Sequence, residues 1–187
     1  MKINRLHEQV WEVQDFLASH EINAYMEIIN SCTDEDWNEN PDTTPLWWQG
    51  RSLVFMAKKH YEVELVTHTI QDRLEDFFEN WTRIHQVNHI LRARQGESMG
   101  VHRDDIEPPD KVNVFGLVLY LNDDYEGGEI IYPEIDLEHK PKAGSLVVHS
   151  ASLPHGVNEV KNTKVRYVLT SFVKGDSSTR IRENYAI

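Results

Sequence analysis

The sequence predicts a mainly β fold with helical support at its N-terminal end. Apolar residues recur at helical spacing up to about residue 81, whereas the rest of the chain holds short β-branched or apolar runs separated by Gly, Pro, Asn and Asp. These runs lie too close together for crossover helices between parallel strands. We therefore expect helices packed on a two-sheet sandwich or an open barrel.

The apolar spacing predicts three helices, over residues 6–17, 20–30 and about 65–81. The segment 31–45 is rich in Asp, Asn, Thr and Pro and is typical of a loop. The predicted strands are 87–94, 112–121, 129–133, 145–149 and 164–173. We expect a single domain over residues 1–187, with helical support in 1–82, a β core in 83–175 and a C-terminal tail in 176–187.

The amino-acid composition limits the kinds of binding partner and metal site that we expect for this chain. The chain has 31 Asp and Glu against 19 Lys and Arg, a net charge of -12 that repels phosphate backbones and anionic lipid. We therefore expect neither a nucleic-acid nor a membrane partner. The single cysteine, Cys32, excludes an internal disulfide and zinc sites that need cysteine pairs. With no signal peptide or long apolar run, the sequence predicts a cytoplasmic protein, and the oligomeric state stays open.

Metal chemistry is indicated by His102 and Asp104. Residues two apart on an extended segment point to the same side and can bind one ion, whereas Asp105 points to the other side. His155 follows a predicted strand and supplies a third candidate ligand. Two His and one carboxylate form the facial triad of non-haem Fe(II) oxygenases, although they can also hold a hydrolytic zinc. His149 competes with His155, but it lies inside the strand, so we favour His155.

A buried cation is indicated by Arg166, which opens an apolar strand and therefore needs an anionic partner unless it faces solvent. A dicarboxylic cosubstrate on the metal would supply its far carboxylate, to which arginine binds in a bidentate pair. Lys164 lies two residues earlier in a polar turn, where its flexible chain can reach water. We therefore expect Arg166 to be the anchor.

In their order and spacing, these motifs resemble those of the 2-oxoglutarate- and Fe(II)-dependent dioxygenases of the prolyl 4-hydroxylase type. The similarity spans roughly residues 84–173 and rests on His102-x-Asp104, the segments 120–129, 141–148 and 153–157, and Arg166-Tyr167. The chain departs from the family pattern in three places. Arg166 stands eleven residues after His155 without the usual preceding glycine, Met99 and Arg94 replace an aromatic residue, and His149 stands where an aromatic residue commonly ends the strand.

The resemblance implies a double-stranded β-helix, or jelly roll. It implies that His102, Asp104 and His155 bind Fe(II), that Arg166 binds the C5 carboxylate of 2-oxoglutarate and that Tyr120 faces this cosubstrate. Dioxygen is the oxidant, and L-ascorbate is the implied reductant.

The implied substrate is a prolyl residue of a peptide or protein. An oxygenase of the same fold that acts on a free amino acid or an alkylated base is an alternative. The negative net charge disfavours the alkylated base as substrate. A non-catalytic jelly-roll metal-binding module is another.

Overall fold

The computed structural model describes residues 1–39, 51–54, 61–85, 89–105 and 112–182. The helices are α1 (Ser19–Ser31) and α2 (Tyr61–Phe77). The strands are β1 (Lys2–His7), β2 (Val10–Gln14), β3 (Asn38–Glu39), β4 (Arg51–Val54), β5 (Phe78–Ile84), β6 (His89–Ala93), β7 (Met99–His102), β8 (Asn113–Tyr120), β9 (Ile130–Tyr132), β10 (Leu137–His139), β11 (Leu146–Ser150), β12 (His155–Val157) and β13 (Arg166–Ile181). No helix in the described ranges is both long and apolar enough to cross a bilayer.

The strands form two antiparallel sheets. In the described part of the chain, the large sheet has the order β1-β2-β11-β8-β13-β6-β4-β3, with β5 also paired to β13, and the small sheet has the order β10-β9-β12-β7. This arrangement confirms the two-sheet sandwich that the sequence predicts. The predicted strands of the β core correspond to β6, β8, β9, β11 and β13, with ends shifted by one or two residues, except that β13 runs eight residues beyond the predicted end at 173.

The large sheet separates two apolar clusters. On its outer face, side chains of α1 and α2 pack against alternate residues of the central strands, such as Leu119 and Leu169. On its inner face, Tyr120 and Val168 pack with Ile130 and Tyr132 of the small sheet. Both helices therefore lie outside the sandwich, and the space between the sheets is lined by strand residues.

The predicted helix over residues 6–17 is wrong, because this segment forms the hairpin β1–β2 and extends the large sheet through β11. Val10 packs in the inner cluster and Val13 in the outer cluster. A strand that is buried on both faces has no two-residue alternation. The apolar residues of this segment therefore have the same spacing as those on one face of a helix.

The other two predicted helices exist, with shifted ends. Helix α1 covers the predicted range 20–30. Helix α2 has the predicted length, but both of its ends lie four residues earlier than in the predicted range 65–81. The chain passes directly from α2 into β5. Residues 40–45 of the predicted loop lie outside the described residues. The segment predicted as a tail is described to residue 182, and Arg180 and Ile181 pair with Glu79 and Phe78 of β5.

Candidate active site

Two imidazoles lie side by side on the small sheet. His102 ends β7 and His155 begins β12, and the two residues are direct partners in the antiparallel register. Paired residues of neighbouring antiparallel strands project their side chains to the same face. The ring centroids are 4.4 Å apart.

Each of these rings is oriented by a backbone carbonyl. His102 Nδ1 lies 2.9 Å from the Gly100 oxygen, and His155 Nδ1 lies 3.0 Å from the Leu153 oxygen. A carbonyl only accepts, so Nδ1 carries the hydrogen in both rings. The unprotonated Nε2 of each neutral ring is therefore available to a metal ion.

Asp104 completes the cluster. Its backbone N–H donates to the Ala151 carbonyl (2.9 Å), and its own carbonyl accepts from the Asn113 amide (2.8 Å). Its Oδ1 lies 3.5 Å from His102 Nε2 and its Oδ2 lies 3.6 Å from His155 Nε2. One potential ligand atom from each of the three residues lies within 4.8 Å of the others. The structure thus brings together the triad proposed from the sequence.

The electrostatics of the cluster suit a cation. Burial alone would raise the pKa of Asp104, but the neighbouring His102 and His149 outweigh it and hold the pKa well below its usual range. Burial, and secondarily the charge of His149, lowers the pKa of His155 to about 3. At neutral pH the site therefore presents an ionised carboxylate and a neutral His155, the protonation states that metal ligands need.

Arg166 is buried at the start of β13, and its Nη2 donates to the Tyr120 hydroxyl at 3.2 Å. Its Nε has no hydrogen-bond partner, and no carboxylate of the described residues pairs with it. Arg166 lines the same cavity as His102, Asp104 and His155, with a volume of about 270 Å³. The cavity walls between these polar groups are mostly apolar strand residues, among them Leu91, Met99, Leu117, Ile130, Val157, Val168 and Phe172.

Lys164 and Asp105, the alternatives to Arg166 and Asp104, lie outside the cavity. Lys164 is not part of β13, and its side chain is 62% exposed and lies 3.4 Å from Asp124. Asp105 pairs with Arg103 at 2.8 Å. Neither residue lines the cavity.

His149 also reaches the cluster, from the opposite sheet. It lies on β11, its Nε2 is 3.2 Å from Asp104 Oδ2, and its ring centroid is 4.1 Å from that of His155. Its Nδ1 faces the Tyr132 hydroxyl at 3.1 Å. The sequence had suggested His149 only as a rival ligand, and it gave no sign of Tyr132. The sequence did contain one signal for this contact, because a polar residue such as His149 inside a buried strand requires a polar partner.

The donor set and the cavity fit Fe(II) with 2-oxoglutarate. Two neutral imidazoles and one carboxylate are the ligands of the non-haem Fe(II) facial triad, which leaves coordination positions open. A buried arginine whose Nε has no partner among the described residues fits the far carboxylate of a dicarboxylic molecule.

Comparison with known proteins agrees with this chemistry. The sequence profile of the 2OG-Fe(II) oxygenase superfamily matches residues 85–174. This match supports a 2OG-Fe(II) oxygenase. It is 40% identical over 121 residues to human prolyl 3-hydroxylase 2, a match that covers 60% of this chain and 16% of the relative. It is 25% identical over 166 residues to a PKHD-type hydroxylase of Prochlorococcus marinus, covering 80% and 72% of the two chains. The chain therefore spans only a small part of the prolyl 3-hydroxylase.

Solved structures share the jelly-roll fold of this chain. A viral collagen prolyl hydroxylase from Paramecium Bursaria Chlorella virus-1, in complex with 2OG, superposes with a TM-score of 0.65 at 18% identity, covering 90% of this chain and 97% of that one. A prolyl hydroxylase from Trichoplax adhaerens, in complex with a hypoxia inducible factor peptide fragment, gives 0.69 at 14% identity, covering 89% and 83%. The predicted double-stranded β-helix is thereby confirmed.

Proposed function

We propose that this protein is an oxygenase that hydroxylates a C–H bond of a prolyl residue in a peptide or protein, with Fe(II) and 2-oxoglutarate. The observation that carries the proposal is the shared cavity, which is lined by the His102, Asp104 and His155 cluster and by a buried Arg166 that has no carboxylate partner among the described residues. The prolyl substrate is supported by the names of the relatives and of the structural neighbours.

Each residue has a defined task. His102 and His155 present Nε2 and Asp104 presents a carboxylate oxygen to Fe(II), while Arg166 and Tyr120 bind the C5 carboxylate of 2-oxoglutarate. When bound, Fe(II) would activate O₂, of which one oxygen atom would enter succinate as 2-oxoglutarate loses CO₂ and the other would be inserted into the substrate C–H bond. The apolar cavity walls exclude water from the reacting groups.

The cofactor assignment is tested without a substrate. Under anaerobic conditions, addition of 2-oxoglutarate to the Fe(II)-loaded protein should produce the weak visible charge-transfer band of the chelate. Arg166→Ala should require much more 2-oxoglutarate for the same band, because the C5 carboxylate loses its partner. If wild-type protein binds Fe(II) but never gives the band, 2-oxoglutarate is not the cosubstrate.

The substrate is tested by succinate release with L-ascorbate, our proposed reductant, in the assay. Slow release without substrate should accelerate with proline-containing peptides, and the product should contain hydroxyproline. Acceleration by a methylated oligonucleotide and by no peptide would overturn the prolyl assignment in favour of base oxidation. No release from protein that holds iron would leave the metal-binding module as the function.

A further inference from the structure

His149 is a buried histidine of the cavity that the proposed chemistry does not use. Its side chain is 1% exposed, and both ring nitrogens lie within hydrogen-bond distance of a polar atom. Nε2 is 3.2 Å from Asp104 Oδ2 and Nδ1 is 3.1 Å from the Tyr132 hydroxyl. Since His149 lies on the large sheet and Tyr132 on the small sheet, this chain of contacts joins the two sheets behind Asp104.

The direction of the hydrogen bond between His149 and Asp104 follows from chemistry. An ionised carboxylate only accepts, so the hydrogen between the two residues belongs to Nε2 of His149 in either protonation state of the ring. In the neutral ring Nδ1 is then an acceptor, and the Tyr132 hydroxyl donates to it. His102 and His155 are arranged the other way, with the hydrogen on Nδ1 and a carbonyl beside it.

Gly116 makes this contact possible. It lies on β8, directly opposite His149 in the register. A β-carbon at this position would lie 2.3 Å from His149 Nε2 and 2.5 Å from Asp104 Oδ2, far inside van der Waals contact. Any residue other than glycine would therefore displace the two side chains that form the hydrogen bond.

We propose that His149 is a positioning residue that holds Oδ2 of Asp104, so that the carboxylate offers Oδ1 to the metal ion as a single, oriented ligand atom. This inference rests on the proposed metal site. Tyr132 fixes the ring of His149, and Gly116 provides the space. Side chains that orient a metal ligand from behind typically change metal affinity by about 10–100-fold when they are removed.

Metal affinity is the first test. Apoprotein is titrated with Mn²⁺, and free Mn²⁺ is followed by electron paramagnetic resonance. His149→Phe keeps an aromatic ring but no donor, and its dissociation constant should rise by about 10–100-fold. Tyr132→Phe leaves the Nε2 donor in place and should weaken binding less. His68→Phe, at an exposed position of α2, is the matched control and should bind like wild type.

The outcomes separate this inference from the proposed function. Wild-type protein that binds no Mn²⁺ overturns both, whereas a folded His149→Phe with wild-type affinity overturns only the role of His149. If His149→Phe lost Mn²⁺ binding completely, as we expect for His155→Ala, His149 would be a metal ligand and not a positioning residue. Urea unfolding of each variant shows whether it is folded.

The ring itself provides a second test that needs no variant. In the Zn²⁺-loaded wild-type protein, ¹⁵N nuclear magnetic resonance should find the His149 hydrogen on Nε2 and the His102 and His155 hydrogens on Nδ1. A bare Nε2 in His149 would mean that this nitrogen binds the metal or faces Asp104 without donating. Either case contradicts the positioning role.

Discussion

Three histidines around Asp104 differ in the nitrogen that carries the hydrogen. His102 and His155 donate from Nδ1 to backbone carbonyls of their own segments, Gly100 and Leu153. Such local contacts orient the ring without help from distant elements. They also leave Nε2 unprotonated beside Asp104, which is the arrangement expected of a metal ligand.

Loss of any member of the triad should therefore remove metal binding and leave the fold. His102→Ala, Asp104→Ala and His155→Ala should each lose Mn²⁺ affinity by more than about 100-fold, a larger effect than that of residues that only orient a ligand. The side chains line a cavity, so thermal unfolding should change little. Full 2-oxoglutarate turnover in purified His155→Ala would contradict the assignment.

Arg166, the proposed anchor for the cosubstrate, gives a second prediction. Arg166→Ala would leave a buried carboxylate without its partner, which costs about 2–5 kcal/mol and raises the half-saturating 2-oxoglutarate concentration by at least about 30-fold. Mn²⁺ affinity should barely change. Lys164→Ala is the matched control, because this exposed side chain pairs with Asp124 and lies outside the cavity. A large rise for Lys164→Ala with none for Arg166→Ala would reverse the two roles.

The sequence could predict that His102, Asp104 and His155 lie together, because their positions follow local rules. His102 and Asp104 are two residues apart on an extended segment, and His155 follows a strand. It could not predict the contact of His149 with Tyr132 or the requirement for Gly116. Those residues belong to three different strands, and their proximity depends on how the two sheets pack.

At the scale of elements, the secondary-structure predictions were wrong where a segment is buried on two sides or where no Gly or Pro marks the end of a helix. The hairpin β1–β2 imitated a helix because Val10 and Val13 are buried on opposite faces of the sheet. The end of α2 was placed too late because Phe77 and Phe78, on either side of the boundary, are both buried apolar residues with no Gly or Pro between them. Both outcomes depend on tertiary packing.

The two helices are joined by a partly buried ion pair. Arg73 on α2 donates to Glu21 of α1 at 2.7 Å, and Glu21 also accepts the Ala18 N–H at the start of α1 at 2.7 Å. Burial alone would raise the pKa of Glu21, but the Arg73 side chain and the Ala18 N–H outweigh it and hold the pKa below its ordinary value of 4.5.

Glu21→Gln should therefore destabilise the protein in a pH-dependent way. Hydrogen bonds to charged groups contribute about 1.5–3 kcal/mol, and we expect a loss of that size in urea unfolding at pH 7. Since the folded pKa is lowered, the contribution is complete above 4.5 and is lost as pH falls through the folded value. Glu27→Gln, at an exposed position of α1, should change little. A Glu21→Gln deficit that persists unchanged into acid would refute the ionic origin.

In the whole molecule, the site connects the two sheets. His102 and His155 belong to the small sheet, whereas Arg166 begins β13 in the centre of the large sheet. A metal ion bound to the triad would carry one end of 2-oxoglutarate, and Arg166 would bind the other. The cosubstrate would then span the sandwich, and its binding energy would oppose separation of the sheets.

Ligands should consequently raise the unfolding temperature in two steps. Mn²⁺ alone should stabilise the folded state, and 2-oxoglutarate should add to this only when Mn²⁺ is present. A ligand at 100 times its dissociation constant contributes about 2.7 kcal/mol, which for a chain of this length is about 5–10 °C. Arg166→Ala should keep the Mn²⁺ step and lose the 2-oxoglutarate step at the same ligand concentrations, while His155→Ala should lose both. Differential scanning calorimetry measures each step, and a 2-oxoglutarate step that survives in Arg166→Ala would show that the cosubstrate does not reach the large sheet at this residue.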